Sequence, residues 1–143
     1  MSDDIVLGAI GSRQLPELTS LNRPFWTGGA DGRLLIQRCG HCQRWQHPPR
    51  PRCVACGSIG IAPAPVSGRA SLYSFVVNRH PWRPNLQLPY VIGLVELAEQ
   101  RDLRLTTNVI GCRLSDVQIG MALDVTFEAQ GECFVPLFRP ATG

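Results

Sequence analysis

Two Cys-x-x-Cys pairs constrain the fold of this chain more than any other feature of its sequence. The first pair is Cys39 and Cys42, the second is Cys53 and Cys56, and ten residues separate the pairs. Each pair can direct two sulfurs at one point, and zinc in structural sites takes four tetrahedral ligands, commonly thiolates. A glycine follows Cys39 and another follows Cys56, which relieves backbone crowding in such turns. The spacing therefore predicts one zinc ion held by four cysteines.

A four-sulfur centre indicates a structural metal rather than a catalytic one. Hydrolytic zinc keeps one coordination position open for water, and four thiolates leave none. Iron redox chemistry of the rubredoxin kind is the alternative, because four tetrahedral thiolates also suit iron. His41 or His47 could replace a cysteine as a ligand, but neither is needed, and both are expected to be polar side chains of the ribbon.

The sequence shows no targeting or membrane segment. The chain has 143 residues, and its acidic first four residues have no apolar run behind them, unlike a secretory signal peptide. The longest apolar run, residues 90–95, suits a buried strand and is far short of the ~20 residues that span a bilayer. We therefore expect a cytoplasmic protein without membrane contact, in which six cysteines favour metal over disulfides.

The basic residues are all arginine and are unevenly placed. The chain has 14 of them, no lysine, and a net charge of +3. Without lysine it can supply neither a Schiff base nor a P-loop lysine, which excludes several kinds of carbonyl and phosphoryl chemistry. Between positions 32 and 95 there is no Asp or Glu, and the arginines there are Arg33, Arg38, Arg44, Arg50, Arg52, Arg69, Arg79 and Arg83. This stretch could be a solvated surface that offsets the thiolates, or it could face phosphates, nucleic acid or an acidic partner.

The N-terminal part of the chain divides into two predicted regions. Residues 1–31 form a polar lead with a short helix over 17–22, which begins after Pro16. Phe25 and Trp26 follow, and these two aromatic side chains need a neighbouring element or a partner to cover them. Residues 32–62 form the ribbon, with strands over 32–38 and 44–47 and an extended, proline-rich connector over 48–51. Residues 62–68 are predicted to be a short linker stiffened by proline.

Residues 63–143 form a third region, in which residues 69–143 are predicted to be almost entirely strand. Turn signals separate five candidate strands, over residues 70–78, 90–96, 103–110, 123–128 and 133–138. A short helical turn fits within residues 114–117. Five strands over about 70 residues suit a small closed barrel.

Several residues outside the cysteine pairs are weaker candidates for a site. Tyr73, Phe75 and Val77 share one face of a predicted strand, and the two aromatic residues among them could stack bases. We expect them to pack in the core instead, because no Arg or Lys alternates with them. Cys112 and Cys133 lie among apolar residues and are expected to be buried small hydrophobes.

The long loop over residues 79–89 is the first place to look for contact with a ligand. It carries His80, Trp82 and Arg83, although a loop histidine is more often simply solvated. No paired carboxylates, catalytic triad or phosphate-binding glycine loop is evident in the sequence. The chain therefore lacks a recognisable complete active site of its own.

The order of several motifs resembles one known family. These motifs are Phe25-Trp26, Gly32-x-Leu34-x-Ile36-Gln37-Arg38-Cys39-x-x-Cys42, Pro48-Pro49, Cys53-x-x-Cys56-Gly57, Gly68, Ser74-Phe75, Pro89-Tyr90-Val91, Thr107-Asn108, Gly120-Met121 and Val135-Pro136-Leu137-Phe138-Arg139-Pro140. Over roughly residues 20–140 the chain is similar to the acyl-CoA-associated zinc-ribbon/OB-fold proteins, long catalogued as domain of unknown function thirty-five.

The resemblance implies a mostly β fold with a short N-terminal helical segment, a rubredoxin-like zinc ribbon and a C-terminal five-stranded OB-fold barrel. It also implies zinc ligation by the same four cysteines. Family members resemble accessory subunits of thiolase-like enzymes, whose partner carries the catalytic residues. In some the partner is a retro-aldolase that shortens steroid side chains carried as CoA thioesters. In others it is an acyltransferase or a ketothiolase.

We therefore expect a non-catalytic accessory subunit of a thiolase-like aldolase, in a heterotetramer that binds acyl-CoA. Phe25 and Trp26 are expected to be exposed and to anchor the partner. A thiolase-like acyltransferase or ketothiolase is the alternative partner. Two alternatives to an accessory subunit remain. One is a nucleic-acid-binding zinc-ribbon/OB-fold protein, against which the low net charge argues. The other is an independent acyl-CoA carrier.

Overall fold

The computed structural model describes residues 5–11 and 13–142, which form a mostly β fold in two connected sheets. One short helix, α1, spans Arg23–Thr27 and continues into a 3₁₀ turn over Gly28–Asp31. The strands are β1 Leu34–Cys39, β2 Trp45–Gln46, β3 Ile61–Val66, β4 Arg69–Asn78, β5 Tyr90–Leu97, β6 Arg104–Val109, β7 Ala122–Gln130 and β8 Cys133–Pro140. Among the described residues, no helix has the length and apolar character needed to cross a membrane.

The helix predicted over residues 17–22 is wrong, because that segment is irregular and α1 begins at Arg23. Side chains of the segment bond to its own backbone. The Thr19 amide donates to Asn22 Oδ1 (2.7 Å), and the Asn22 amide donates to Thr19 Oγ1 (3.2 Å). Such local bonds compete with helix formation, whereas Pro24 is favourable in a first helical turn. The helix therefore starts six residues later than the pattern predicted.

The ribbon is a three-stranded antiparallel sheet in the order β2-β1-β3. The linker predicted over residues 62–68 is wrong, because most of it is strand β3, paired with β1 from Leu34↔Val66 to Cys39↔Ile61. Pro63 and Pro65 lie two residues apart on this edge strand, so their missing amide donors fall on the same side. Proline is tolerated there because an edge strand leaves one side unpaired.

The second sheet closes into a five-stranded barrel in the order β4-β5-β6-β8-β7. The five strands predicted for residues 63–143 are confirmed, with ends that differ by one or two residues. The pairing of β6 with β8 is parallel and reduced to Val109↔Phe138, while β4 pairs with β7 to complete the circle. The predicted short turn after β6 is a 3₁₀ turn over Leu114–Asp116.

The barrel interior is filled by side chains that alternate inward along the strands. The residues with the least exposure there include Phe138, Leu72, Leu97, Leu123, Val91, Val95 and Val109. At Gly93 on β5, an added Cβ would lie 3.1 Å from both Leu72 Cδ1 and Val109 Cγ2, so the core packs directly against this backbone. Cys133 is buried as expected, and Cys112 is half-buried beside the core.

A bulge in β4 changes the face on which Tyr73 lies. The register with β5 shifts between Leu72 and Ser74, which leaves Tyr73 outside the ladder. The prediction that Tyr73 packs in the core is therefore wrong: it is exposed, and the Arg104 guanidinium lies 3.8 Å from its ring centre. Phe75 and Val77 do pack against the core, as expected.

Ribbon and barrel are held together by polar contacts and a shared core. Gln100 pairs with the backbone of Trp45 in β2: its Oε1 accepts the Trp45 amide (2.8 Å), and its Nε2 donates to the Trp45 carbonyl (2.9 Å). Arg44 of the ribbon and Asp102 of the barrel form an ion pair at 3.1 Å. Phe25, Trp45 and the barrel residues belong to one continuous hydrophobic cluster. The ribbon is thus fixed in orientation on the barrel.

The N-terminal segment lies along the barrel rather than leading away from it. The Leu7 amide donates to the Cys112 carbonyl and the Gly111 amide donates to the Leu7 carbonyl, each at 2.8 Å. Leu7 and Ile10 are buried. This segment leads to Arg13, which lies at the barrel wall.

Candidate functional site

The four predicted cysteines converge at the tip of the ribbon. Their sulfurs all lie within 4.8 Å of one another, with Cys39 Sγ to Cys56 Sγ and Cys42 Sγ to Cys53 Sγ both 3.6 Å. Four sulfurs at about 2.3 Å from a tetrahedral zinc ion would be about 3.8 Å apart. The donor set and its spacing therefore fit a zinc ion, and the cysteines form a zinc site of the rubredoxin-like type.

Tight turns place each pair of sulfurs. In the first, the Gln43 amide donates to the Cys39 carbonyl (2.9 Å), and Gln43 has a positive φ of 66°. In the second, the Gly57 amide donates to the Cys53 carbonyl (3.0 Å), and Gly57 has φ of 77°. Glycine adopts that conformation without a steric penalty. Cys39 is also the last residue of β1, so the sheet fixes the first ligand directly.

Backbone amides favour the thiolate form of the first sulfur in each pair. The Cys42 and His41 amides each lie 3.4 Å from Cys39 Sγ, and these contacts lower the pKa of Cys39 to about 6. Amides of Cys56 and Ala55 likewise lower the pKa of Cys53. Thiolates are the form that binds metal. These contacts therefore favour the metal-binding form of two of the four ligands.

Two buried glutamines hold the connector and the second cysteine turn against the sheet. Gln37 accepts the Arg50 amide at its Oε1 (2.8 Å) and donates from its Nε2 to the Arg50 carbonyl (2.9 Å). Gln46 accepts the Val54 amide at its Oε1 (2.9 Å) and donates to Gln37 Oε1 (2.9 Å). These side chains replace the strand pairing that the prolines of the connector cannot make. Nothing in the sequence distinguishes them from ordinary exposed glutamines.

A cleft of about 610 Å³ lies where the helix, the ribbon and the N-terminal segment meet the barrel wall. Its lining includes Trp26 from α1, His47 from the ribbon and Arg13 from the N-terminal segment. The barrel contributes residues of β5, β6 and β8, among them Tyr90, Ile92, Arg104, Thr106, Asn108 and Val135. The volume falls within the range typical of small-molecule sites.

Arg13 makes three described hydrogen bonds to barrel residues at this cleft. Its Nε donates to Glu128 Oε1 (2.9 Å), its Nη1 donates to Asn108 Oδ1 (2.9 Å), and its amide donates to Gln130 Oε1 (3.0 Å). Its Nη2 is buried and has no hydrogen-bond partner among the described residues. Sequence reasoning missed Arg13, because its partners are about a hundred residues away and no local motif marks it.

His47 lines the same cleft and is held neutral. Its ring stacks at a tilt on Phe25, with 4.7 Å between the ring centres. Burial lowers the pKa of His47 to about 4, so the imidazole is uncharged at neutral pH. It therefore does not serve as a cationic ligand contact.

The other residues predicted for a binding site lie in different environments. The expectation that Phe25 is exposed is wrong: it is 5% exposed and packs edge-on against Trp26 and in the core. Trp26 is half-buried and lines the cleft. In the long loop, Arg83 lines the cleft, whereas His80 and Trp82 are exposed, contact each other at 4.4 Å and lie outside its described lining.

The fold and the metal site together define a zinc-ribbon/OB-fold protein. Two family models match this chain: the ChsH2 rubredoxin-like zinc ribbon domain over residues 26–59, and the ChsH2 C-terminal OB-fold domain over residues 64–128. A scaffold protein from Methanocaldococcus jannaschii, described as containing a DUF35 domain, is 33% identical over 66% of this chain and 67% of its own length. The chain belongs to this DUF35 family of zinc-ribbon/OB-fold proteins.

Two further relatives are larger proteins. A probable enoyl-CoA hydratase alpha subunit from Thermomonospora curvata is 38% identical over 90% of this chain. A 3-oxo-4,17-pregnadiene-20-carboxyl-CoA hydratase alpha subunit from Mycobacterium tuberculosis is 36% identical over 72% of it. The aligned region spans 40% of the first relative and 32% of the second.

The matches to solved structures cover a larger share of the other chain than the matches to these two larger relatives do. A chain of the Ltp2-ChsH2(DUF35) aldolase superposes with a TM-score of 0.77 and 39% identity, over 90% of this chain and 100% of that one. A DUF35 protein of unknown function from Sulfolobus solfataricus superposes with a TM-score of 0.61 at 16% identity, over 85% of this chain and 86% of its own. The second match concerns the fold alone.

Proposed function

We propose that this chain is a non-catalytic accessory subunit of a thiolase-like aldolase. The observation that carries the proposal is the match, over the full length of the other chain, to the DUF35 component of the Ltp2-ChsH2(DUF35) aldolase. The scaffold description of the Methanocaldococcus relative supports the same role. In this proposal the two proteins form a heterotetramer, and the partner carries the reacting groups.

The chemistry of the chain is consistent with a supporting role. Its zinc ligands are all thiolates, which leaves no coordination position for water or substrate. Without lysine it cannot form the Schiff base that one class of aldolases uses. The ribbon and barrel are instead joined rigidly, through Gln100 and the shared core, as a docking module requires.

The substrate class we propose is an acyl-CoA with a steroid-type side chain. The Mycobacterium relative is described as acting on a pregnadiene-carboxyl-CoA. The partner would cleave the carbon–carbon bond of a β-hydroxyacyl thioester in a retro-aldol reaction, releasing a ketone and a shorter acyl-CoA. A thiolase-like acyltransferase or ketothiolase is the alternative partner.

Reconstitution tests the proposal. The chain and a co-expressed thiolase-like protein are purified separately and together, and ketone release from a β-hydroxyacyl-CoA is measured for each preparation. We expect activity only from the complex and none from this chain alone. Cleavage by this chain alone, or full activity of the partner without it, would refute an accessory role.

A further inference from the structure

The positive charges that border the cleft are already compensated by other groups. Arg13 Nε donates to Glu128 Oε1 (2.9 Å), and Arg104 Nε lies 3.4 Å from Glu96 Oε2. Arg83, the third arginine of the lining, also has a partner. The described lining contains no Asp or Glu. The part of the cleft that the structure describes therefore offers neither an unpaired cation nor an anion to a ligand.

Much of the remaining lining is hydrocarbon or aromatic. Trp26, Ile92 and Val135 contribute to it from α1, β5 and β8. Burial of apolar surface supplies most of the binding free energy in sites of this kind, and about 610 Å³ leaves room for several fused rings. An ionised group moved into such surroundings without a free counter-charge would lose its hydration and gain little in return. The cleft therefore selects for an uncharged ligand.

His47 brings to the cleft a neutral polar group with unused hydrogen-bonding capacity. Its ring stacks on Phe25, with 4.7 Å between the ring centres, and no hydrogen bond links the ring to any other described residue. Neither ring nitrogen is among the described atoms that are both buried and unpaired, so both nitrogens remain accessible. A neutral imidazole carries one N–H donor and one acceptor nitrogen, and a hydroxyl group can pair with either.

We propose that this cleft binds an uncharged alcohol with a fused-ring apolar body. The rings lie against Trp26, Ile92 and Val135, and the hydroxyl group hydrogen-bonds to the His47 imidazole. All of these residues belong to this chain, so binding does not require a partner subunit. Ligand binding by the chain alone and assembly with a partner can therefore succeed or fail separately.

A matched pair of fluorescent probes tests this proposal on the full zinc-loaded chain at neutral pH. The probes are 1-pyrenebutanol and the anionic 1-pyrenebutyrate, and the readout is the ratio of pyrene emission bands, which reports transfer to an apolar site. We expect saturable 1:1 binding of the alcohol and binding of the carboxylate that is weaker by at least about tenfold, which corresponds to about 1.4 kcal/mol. Equal or tighter binding of the carboxylate, or no saturable binding of the alcohol, would overturn the proposal.

His47→Phe removes the proposed hydrogen bond and keeps an aromatic ring against Phe25. It should weaken binding of the alcohol about fivefold, as expected for the loss of one hydrogen bond. A third probe, 1-butylpyrene, has no oxygen and should bind the variant and the unmodified chain equally. His80→Phe is the control, because His80 is exposed and lies outside the described lining. An unchanged affinity of His47→Phe for the alcohol, or an equal loss for 1-butylpyrene, would refute the proposed contact.

A second pair of variants locates the bound probe. Thr106 is an exposed β6 residue that lines the cleft, so Thr106→Trp should block binding of the alcohol by filling the space. Ser71→Trp is the matched control, since Ser71 is an exposed β4 position outside the described lining, and it should bind the alcohol as the unmodified chain does. Binding that survives Thr106→Trp, or that Ser71→Trp abolishes equally, would show that the probe binds elsewhere and would overturn the proposal.

Discussion

Cys39 and Cys53 are the first cysteines of the two Cys-x-x-Cys turns of the zinc ribbon. Backbone amides lower the pKa of both thiols, which favours the thiolate form that binds metal. Replacing Cys39 with Ser should remove most of the zinc and unfold the ribbon, because metal affinity and folding are coupled in such sites. The measurements are zinc content by atomic emission and the near-ultraviolet circular dichroism of Trp45.

Cys112→Ser is the matched control for this variant. Cys112 is half-buried and is not part of the four-sulfur cluster, so its replacement should keep the full zinc content. A zinc-free Cys39→Ser chain with a folded ribbon that still bound its partner would contradict the structural role of the metal.

His47 should make stability depend on pH. Burial lowers its pKa to about 4 in the folded chain, against 6.5 when unfolded, so only the unfolded chain gains the proton between these values. The free energy of unfolding is therefore highest above pH 6.5 and falls as the pH drops toward 4. Between about pH 7.5 and pH 5.5 we expect a loss of about 1 kcal/mol from this residue.

Urea unfolding at both pH values measures this loss. His47→Gln should reduce the pH dependence by that amount, whereas His41→Gln, at an exposed position, should not. The comparison with His41 also controls for zinc lost by protonation of the cysteines. An identical pH dependence of the His47 variant and the unmodified chain would contradict a buried neutral imidazole.

The residues of the site differ in how far the sequence predicts them. The four cysteines are found from spacing alone, because each pair lies within one turn and the metal requires its ligands together. Arg13 is 95 residues from Asn108 and 115 from Glu128, so no local pattern links it to the cleft. Phe25 was predicted from its size alone to need cover, and the fold supplies that cover within the chain.

At the level of elements, the Gln100 side chain bonds to the edge of β2 as the backbone of a neighbouring strand would. Its amide makes two hydrogen bonds to the Trp45 backbone at the open edge of β2. Gln100→Ala should lower the free energy of unfolding by about 1–3 kcal/mol, because it leaves two partly buried backbone groups without partners. The measurement is urea unfolding followed by tryptophan fluorescence.

Gln118→Ala provides the comparison, since Gln118 is exposed and none of the described hydrogen bonds involves its side chain; its amide, which the substitution keeps, donates to Met121 Sδ. Its effect should stay within about 0.5 kcal/mol. Equal stability of the Gln100 and Gln118 variants would show that the ribbon–barrel junction depends on the shared core rather than on this pair of bonds.

The barrel strands were predictable because period-2 alternation and turn residues act locally. Strand β5 alternates buried and half-buried residues along its whole length. Strand β3 was missed because two prolines are typical of linkers, and only its position at a sheet edge makes them acceptable. The helix was placed too early because local side-chain bonds at Thr19 and Asn22 compete with it.

At the level of the whole molecule, Trp26 is the residue we propose as a partner anchor. It is half-buried at the mouth of the cleft, while Phe25 supports it from within the core. Trp26→Ala should weaken the complex at least about tenfold and leave the barrel folded, since truncated hot-spot residues cost more than 1 kcal/mol. Surface plasmon resonance with the partner immobilised measures the dissociation constant.

Trp82→Ala is the informative comparison, because Trp82 is exposed and lies outside the cleft lining. We expect a smaller loss of affinity for Trp82→Ala than for Trp26→Ala. A loss of affinity for the Trp82 variant alone would move the interface to the loop over residues 79–89 and remove Trp26 from it.

The proposed function requires that this chain works as a subunit of a larger complex. The decisive measurement is mass spectrometry of the proteins that co-purify with a tagged copy from its native host. We expect a thiolase-like protein in stoichiometric amount. A purified chain with no protein partner, or an eluate rich in nucleic acid, would contradict it.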